Sequence, residues 1–147
     1  MQYNTATPYV ASYVLLRKGR KAAFVLRANT SWMNDYYGLA AGKVEKGESF
    51  TQAAIREAKE EVGVVVTRQQ LQQVLTCHRR EKGETIEWVD VVFEATEWSG
   101  EVVNAEPHMH SEVAWLDLDD LPDNVIPSLR FMLEKIQLGE QYCEYGW

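Results

Sequence analysis

The segment at residues 42–64, GKVEKGESFTQAAIREAKEEVGV, constrains the fold more strongly than any other part of the chain. It predicts a helix with both ends marked, from about Phe50 to Val62. Ser49 suits the N-cap position, and Gln52 completes a Ser-x-x-Gln capping box. Gly63 can take the left-handed conformation that ends a helix. The segment therefore predicts a glycine-containing loop followed by one well-defined helix.

The predicted helix concentrates carboxylates on one side. At about 100° per residue, Glu57, Glu60 and Glu61 fall within an arc of roughly 100°. Like charges at this spacing destabilise a helix by about 0.2–0.5 kcal/mol per pair. A hard divalent cation among them would offset the repulsion, and oxygen ligands favour Mg²⁺ or Mn²⁺ over zinc. The alternative is a solvated acidic face on which Arg56 and Lys59 soften the repulsion. An apolar stripe lies beside the carboxylates and would face the core, formed by Ala54, Ile55, Ala58 and Val62.

The loop before this helix, AAGKVEKGES at residues 40–49, favours the cation. Glycine-punctuated loops allow backbone N–H groups and a helix N-terminus to approach phosphate. A cation site beside a phosphate cradle is the equipment needed to hydrolyse a phosphoanhydride. We therefore favour a metal site over a solvated face.

The spacing of this segment resembles the signature of the Nudix hydrolases, Gly-x5-Glu-x7-Arg-Glu-U-x-Glu-Glu-x-Gly-U, in which U is a bulky aliphatic residue. Gly42, Glu48 and the run at residues 56–64 meet every fixed position. Ala58 in the first aliphatic position is the one departure, and it concerns packing more than chemistry. We call residues 42–64 the Nudix box.

The resemblance implies a fold of the α/β class, an α/β/α sandwich with a mixed β-sheet, in which the box forms a loop–helix–loop. It implies a divalent metal, Mg²⁺ with Mn²⁺ as a substitute. The implied metal ligands are Glu57, Glu60, Glu61, the carbonyl of Ala41 and an additional loop glutamate. The implied catalytic residues are Arg56, Glu57 and Glu60. Glu57 would be either a ligand or the base that activates water, and Arg56 would orient the glutamates.

The resemblance also assigns roles to four further residues. Gly42 and Gly63 would be structural, and Glu48 would close the loop–helix structure or act as an outer-sphere metal partner. Lys43 would contact phosphate. Many family members have Pro-Gly before the box glycine, whereas this chain has Ala40-Ala41, which makes a less rigid loop.

The segment NAEPHMHSE carries a weaker implication, because many Nudix enzymes place an additional glutamate on a loop there. Glu106 is the first candidate and Glu112 the second, with an ordinary surface carboxylate as the alternative for each. His108 and His110 are spaced to share one side of a strand and could bind zinc. Since no third ligand is evident, we expect exposed loop histidines.

The segment before the last helix resembles that of MutT-like enzymes, where an Asn or Asp reads the base edge. Asn124 or Asp123 would take that role, with helix capping or a turn as the alternative. Trp32, Tyr36 and Tyr37 could stack on a nucleobase, but we expect them in the core.

The rest of the chain reads as strands with a helix between them and a second helix near the end. The predicted second helix covers residues 127–138, with Gly139 as its stop. Trp115 lies in an apolar strand and is expected in the core. A turn at Lys82-Gly83 would join two of the strands. The predicted strands are residues 9–16, 22–27, 71–80, 86–98 and 112–118, the first two and the next two as antiparallel pairs.

Bulk properties restrict the class of protein. The 147 residues suit a single domain over 1–147, and the net charge of −7 argues against broad binding to a nucleic-acid polymer or an anionic membrane. The N-terminus lacks the basic region of a signal peptide, and no run approaches the roughly 20 apolar residues that span a bilayer. Cys77 and Cys143 match no metal-ligand spacing, so we expect free thiols in the cytoplasm. We expect a monomer or a homodimer.

These features favour an Mg²⁺-dependent pyrophosphohydrolase whose partner is a small nucleotide, with nucleoside triphosphates, including oxidised or noncanonical ones, as the first hypothesis. ADP-ribose, nucleotide sugars and dinucleoside polyphosphates are the alternative substrates. A nucleotide-sensing module without turnover is a third hypothesis. It is less favoured because every glutamate of the box is present.

Overall fold

The computed structural model describes residues 4–81 and 83–147. Within these ranges the chain forms eight strands, two α-helices and a 3₁₀ turn. In chain order they are β1 (Tyr9–Lys18), β2 (Lys21–Arg27), β3 (Tyr37–Gly38), β4 (Ala40–Lys43), α1 (Phe50–Val62), the 3₁₀ turn (Arg68–Gln70), β5 (Gln72–Arg80), β6 (Glu87–Ala95), β7 (His110–Asp117), α2 (Pro127–Gln137) and β8 (Tyr142–Tyr145).

Strand β1 is the centre of the sheet. It pairs in parallel with β6 and antiparallel with β4 and β2. Beyond β6, β5 is antiparallel and β8 is parallel to β5. On the other side, β3 and β7 flank β2. Parallel and antiparallel pairs occur together, which confirms the predicted mixed sheet.

The two helices cover opposite faces of this sheet. Side chains along a strand alternate between its faces. Val14 and Leu16 of β1 therefore pack in the apolar cluster beneath α1, whereas Leu15 packs in the cluster beneath α2. The result is the predicted α/β/α arrangement, with the box helix on one face.

The helices match their predicted ranges closely. Helix α1 has the predicted bounds, and Ser49 and Gln52 form both bonds of the capping box. Gly63 ends the helix with φ 74°. Helix α2 ends at Gln137, one residue earlier than predicted, and Gly139 follows with φ 75°.

The strands match less completely. The five predicted strands are present with shifted ends, but β3, β4 and β8 are additional. The prediction of a loop over residues 40–49 is wrong for Ala40–Lys43, which pairs with β1. Segments of two to four residues are too short to show an alternating pattern. Of the predicted turn at Lys82-Gly83, Lys82 lies outside the described residues.

Trp115 packs against the apolar cluster beneath α1, as predicted for a core residue, but it is half-buried and lies at the edge of that cluster. Its ring stacks on that of Trp98 with 6.1 Å between the centroids. The Lys18 amine lies over both rings, at 5.3 Å from the Trp115 centroid and 5.4 Å from the Trp98 centroid. A partly solvated cation–π contact therefore adds to the packing of Trp115 against the apolar cluster beneath α1.

Two predictions about the whole chain can be compared with the structure. Cys77 and Cys143 are buried and free, which confirms the predicted thiols, and they lie opposite each other on β5 and β8. Neither helix in the described part of the chain is long and apolar enough to cross a membrane.

A buried ion pair joins the start of β6 to the end of β5. Arg79 Nε lies 2.5 Å from Asp90 Oδ2, and Nη2 lies 3.3 Å from Oδ1. Asp90 is fully buried and Arg79 is 5% exposed. Burial raises the pKa of Asp90, and the Arg79 hydrogen bond opposes that rise. Arg79 also binds Glu81 at 3.0 Å and lies over the Trp88 ring.

We expect Asp90→Asn to lower the free energy of unfolding by about 2–4 kcal/mol, because the buried Arg79 charge would lose its fully buried partner and keep only the partly exposed Glu81. Urea denaturation followed by circular dichroism measures the change. The control is Glu94→Gln, since the half-exposed Arg17–Glu94 pair at 3.6 Å should contribute less than about 1 kcal/mol. Equal effects of the two substitutions would contradict the prediction.

Candidate functional site

Helix α1 places two carboxylates at the edge of the core. Ala54 and Ala58 are fully buried against the sheet, so the helix lies close to β4 and β1. Glu57 and Glu61 follow on the adjoining side and are 9% and 7% exposed. Glu60 points outward, with half of its side chain exposed. The three glutamates predicted as metal ligands therefore lie at the boundary between α1 and β4.

The backbone of β4 runs directly past these carboxylates. The Ala41 N–H donates a 2.6 Å hydrogen bond to Glu61 Oε2. A Cβ at position 42 would overlap Glu57 Oε1, so the residue facing this carboxylate must be glycine. Gly42 is thus required by close approach. Ala41 contacts Glu61 through its N–H, and the predicted metal-binding role of its carbonyl stays a prediction.

Arg56 connects the loop, the strand and the helix. Its guanidinium binds both oxygens of Glu48, at 2.8 and 2.9 Å, and Glu57 Oε1 at 2.7 Å. It also reaches Glu60 Oε2 at 3.3 Å and the Lys43 carbonyl at 3.1 Å. The hydrogen bonds that Arg56 donates to Glu48 lower the pKa of Glu48 to about 2. Arg56 therefore sets the positions of the carboxylates around it.

The cluster fits a divalent cation. Burial first, and then the neighbouring Glu61, raises the pKa of Glu57 above its ordinary value. Burial also raises the pKa of Glu61, and the nearby Glu106 adds to the rise. Ionising both costs free energy unless a positive charge lies between them, and carboxylate oxygens are the ligands that hard divalent cations take. The residues present therefore suit the expected metal.

A third carboxylate and an imidazole complete the acidic cluster. Single ligand atoms of Glu61, Glu106 and His110 all lie within 4.8 Å of one another. Glu112, the second candidate for the loop glutamate, lies apart and accepts a hydrogen bond from Tyr37. The prediction of two exposed loop histidines is wrong for His110, which is 3% exposed. The spacing of the two histidines carried no signal for this burial, because it depends on a loop folding back onto α1.

A cavity of about 450 Å³ opens next to the box. Ala41, Gly42 and Lys43 line one side of it, and Arg79 and Trp88 line another. The Lys43 amine lies 4.4 Å from the centroid of the Tyr9 ring and 5.6 Å from that of Trp88. The cavity therefore lies between β4 and an aromatic and basic wall, and none of Glu57, Glu60 and Glu61 is among the described residues that line it.

Of the three aromatic residues expected in the core, Trp32 is not buried. It is 38% exposed, lines the cavity, and has the Arg27 guanidinium over its ring. Tyr36 and Tyr37 are half-buried and pack against the cluster beneath α2. The expectation of burial is therefore wrong for Trp32, which is available to a ligand.

The two predicted base-reading residues are not brought to this cavity. Neither Asp123 nor Asn124 is among the described residues that line it. The Asn124 side-chain amide donates to the Asp35 backbone carbonyl at 2.9 Å. The backbone carbonyl of Asn124 accepts from the Tyr37 N–H at 2.7 Å. In this arrangement Asn124 fixes the loop that carries Trp32. A base-reading role for either residue stays a prediction.

The family model for the NUDIX domain matches residues 7–136. The chain belongs to the Nudix family. This confirms the resemblance carried by the box, and members of the family are hydrolases that act on pyrophosphate bonds. The Nudix protein is similar to the uncharacterized Nudix hydrolase YvcI of Bacillus subtilis (strain 168), with 31% identity over 81 residues. That match covers 54% of this chain and spans half the length of the relative.

Solved structures of the family share the fold of this Nudix protein. A MutT NUDIX hydrolase from Burkholderia pseudomallei superimposes with a TM-score of 0.79 and 27% identity, over 88% of this chain and 98% of that one. A MutT protein from Methanosarcina mazei Go1 gives a TM-score of 0.76 at 20% identity, over 92% and 97% of the two chains. The second likeness concerns the fold alone.

We expect Glu48→Gln to lower the free energy of unfolding at pH 7 by about 1–2 kcal/mol, because the bonds to Arg56 are charge-assisted. The pKa of Glu48 is about 2 in the fold against an ordinary 4.5, so its stabilisation is present above pH 4.5 and disappears as the pH falls towards 2. The difference between wild type and variant, measured by urea denaturation at several pH values, should shrink accordingly.

The control for this prediction is Glu45→Gln. Glu45 reaches the same guanidinium at 3.9 Å but is 71% exposed, so its removal should cost less than about 0.5 kcal/mol. The difference in free energy of unfolding between the wild type and Glu48→Gln should depend on pH. A difference that stays constant from pH 7 towards pH 2 would contradict the assigned contact.

We expect Gly42→Ala to weaken Mn²⁺ binding at least about tenfold, because the added methyl group would displace the Glu57 carboxylate. Calorimetric titration of the metal-free protein measures the affinity. Gly139→Ala is the control: it has φ 75° and open space around it, so it should cost about 1 kcal/mol of stability and leave the affinity unchanged. Unchanged Mn²⁺ binding by Gly42→Ala would contradict the prediction.

Proposed function

We propose that this Nudix protein is an Mg²⁺-dependent pyrophosphohydrolase of nucleoside triphosphates, including oxidised or noncanonical ones. The observation that supports this most strongly is the pair of buried carboxylates, Glu57 and Glu61, held against Ala41 and Gly42 of β4, two residues that also line the cavity. Two crowded anions beside a pocket for a small molecule are the arrangement that a cation-bridged polyphosphate needs.

The metal ion would be held by Glu57, Glu60, Glu61, the carbonyl of Ala41 and Glu106. When bound, it would supply charge neutralisation to the phosphoryl oxygens and lower the pKa of a water molecule. Arg56 remains protonated at every relevant pH, so it orients Glu57 and Glu60 and takes no part in proton transfer. Glu57 serves as a ligand or as the base that receives the proton of the attacking water. Cleavage yields two phosphorylated products.

The wall opposite the box would bind the nucleoside. Trp32 and Trp88 offer aromatic surface on the cavity. Lys43 offers positive charge from the box side, whereas the charge of Arg79 is paired with Asp90 and Glu81. A volume of about 450 Å³ lies within the range of small-molecule sites. The net charge of −7 argues against a nucleic-acid polymer as the substrate. A single domain over residues 1–147, a cytoplasmic location and a monomeric or homodimeric state stay predictions.

Turnover of a substrate panel tests the proposal. The panel contains canonical and oxidised nucleoside triphosphates, ADP-ribose, a nucleotide sugar and a dinucleoside polyphosphate, each with Mg²⁺, Mn²⁺ or EDTA. We expect EDTA to abolish turnover, and Glu57→Gln and Glu60→Gln each to lower kcat at least about a hundredfold. Glu134→Gln, an exposed glutamate on α2, is the matched control and should leave kcat unchanged.

The outcomes separate the three hypotheses. Preferred cleavage of ADP-ribose, a nucleotide sugar or a dinucleoside polyphosphate would replace the substrate assignment. Nucleotide binding without turnover would indicate a sensing module. Turnover that survives both glutamate substitutions would place the active site elsewhere. Product analysis, pyrophosphate against monophosphate release, then identifies the bond that is cut.

A further inference from the structure

We propose that His110 is a metal ligand through Nε2, and that with Glu61 and Glu106 it forms a mixed nitrogen–oxygen metal position at the inner end of the acidic cluster. Such a position favours a first-row transition metal over Mg²⁺. The inference rests on the proposed function, since Glu61 and Glu106 also belong to the ligand set proposed there. It adds a ligand of a different chemistry from the oxygen donors implied by the family signature.

The distances require little rearrangement. His110 Nε2 lies 3.3 Å from Glu61 Oε1, and one ligand atom of each of the three residues falls within 4.8 Å of the others. Ligand atoms around an ion with bonds of about 2.1 Å are themselves about 3–4 Å apart. Rotamer adjustment of half-buried Glu106 would bring the three atoms to that spacing.

The backbone builds this position. The N–H groups of Met109 and His110 both donate to the Glu106 carbonyl, at 2.9 and 3.0 Å. This single helical turn places the side chains of residues 106 and 110 on the same side. The Ala105 N–H donates to the Glu61 carbonyl at 3.1 Å, which ties the turn to the end of α1. The three side chains are therefore brought together by main-chain bonds between two separate segments.

The imidazole is not satisfied as an ordinary core histidine would be. It is 3% exposed, and Nδ1 is buried without a hydrogen-bond partner among the described residues. Its Nε2 contact with Glu61, at 3.3 Å, is longer than the 2.7–2.9 Å of a charge-assisted hydrogen bond. The Asn104 amide donates to the His110 carbonyl at 2.7 Å, and Asn104 Oδ1 is also buried without a partner. When the proton of the neutral imidazole is on Nδ1, the lone pair of Nε2 faces the neighbouring carboxylates. A cation between Nε2 and these carboxylates would make this arrangement favourable.

The donor set decides which ion is favoured. Mg²⁺ takes oxygen ligands and keeps several waters, whereas an imidazole nitrogen suits the later first-row divalent ions. Replacing one oxygen donor by a nitrogen therefore raises the affinity for these ions relative to Mg²⁺. His110 would act as a selectivity determinant of the metal position.

Pulsed electron paramagnetic resonance of Mn²⁺ bound to the tag-free full chain, without nucleotide, tests the proposal. We expect modulation from a directly coordinated ¹⁴N nucleus in the wild type, its loss in His110→Gln, and its retention in His108→Gln, which changes an exposed histidine of the same loop. In calorimetric titrations, His110→Gln should weaken binding of Co²⁺, a later first-row ion, at least about tenfold. It should change Mg²⁺ binding less than about threefold.

Absence of ¹⁴N modulation in the wild type would overturn the proposal, and this measurement needs no variant to fold. Equal loss of Co²⁺ and Mg²⁺ affinity in His110→Gln would also overturn it, by showing that His110 only positions Glu61. Turnover is not a readout here. Hydrolysis without a nitrogen signal would leave the proposed function and remove this inference. A nitrogen signal without hydrolysis would support His110 as a metal ligand and contradict the proposed function.

Discussion

The Arg56 guanidinium is the contact on which the geometry of the site depends. It joins Glu48 in the loop, the Lys43 carbonyl on β4 and Glu57 on α1. Without Arg56, these three segments would meet through uncharged groups or through groups of like charge. A guanidinium is planar and permanently charged, so this spacing does not change when the carboxylates gain or lose protons. Arg56 therefore holds the loop at Glu48 against the helix that carries the carboxylates.

Close packing of α1 makes the acidic cluster costly and, for the same reason, suited to a cation. Ala54 and Ala58 let the helix approach the sheet, and Gly42 leaves room for the Glu57 carboxylate against β4. Water is thereby removed from two neighbouring carboxylates, which raises the pKa of Glu57 and of Glu61. Holding the two carboxylates together costs free energy, and a bound cation would offset that cost. Local destabilisation of this kind is common at functional sites.

The cavity has two walls with different origins. The wall formed by β4 belongs to the Nudix box, whereas the opposite wall comes from β5 and β6 and depends on the buried Arg79–Asp90 pair. A short polar network in the core keeps the orientation of Arg79 over the Trp88 ring. The two walls of the cavity therefore come from separate parts of the sheet, and a complete box specifies only one of them.

The sequence by itself determined the box helix: its bounds, its capping box, its buried alanine stripe and the side that bears the carboxylates, because each depends on residues within about four positions of one another. The mixed sheet and the two covering helices also followed from local patterns and from the family resemblance. Only the tertiary structure decided that His110 is buried beside Glu61, that Trp32 faces the cavity, and that residues 40–43 form a strand. Each of these depends on contacts between segments distant in the chain, which local periodicity does not encode.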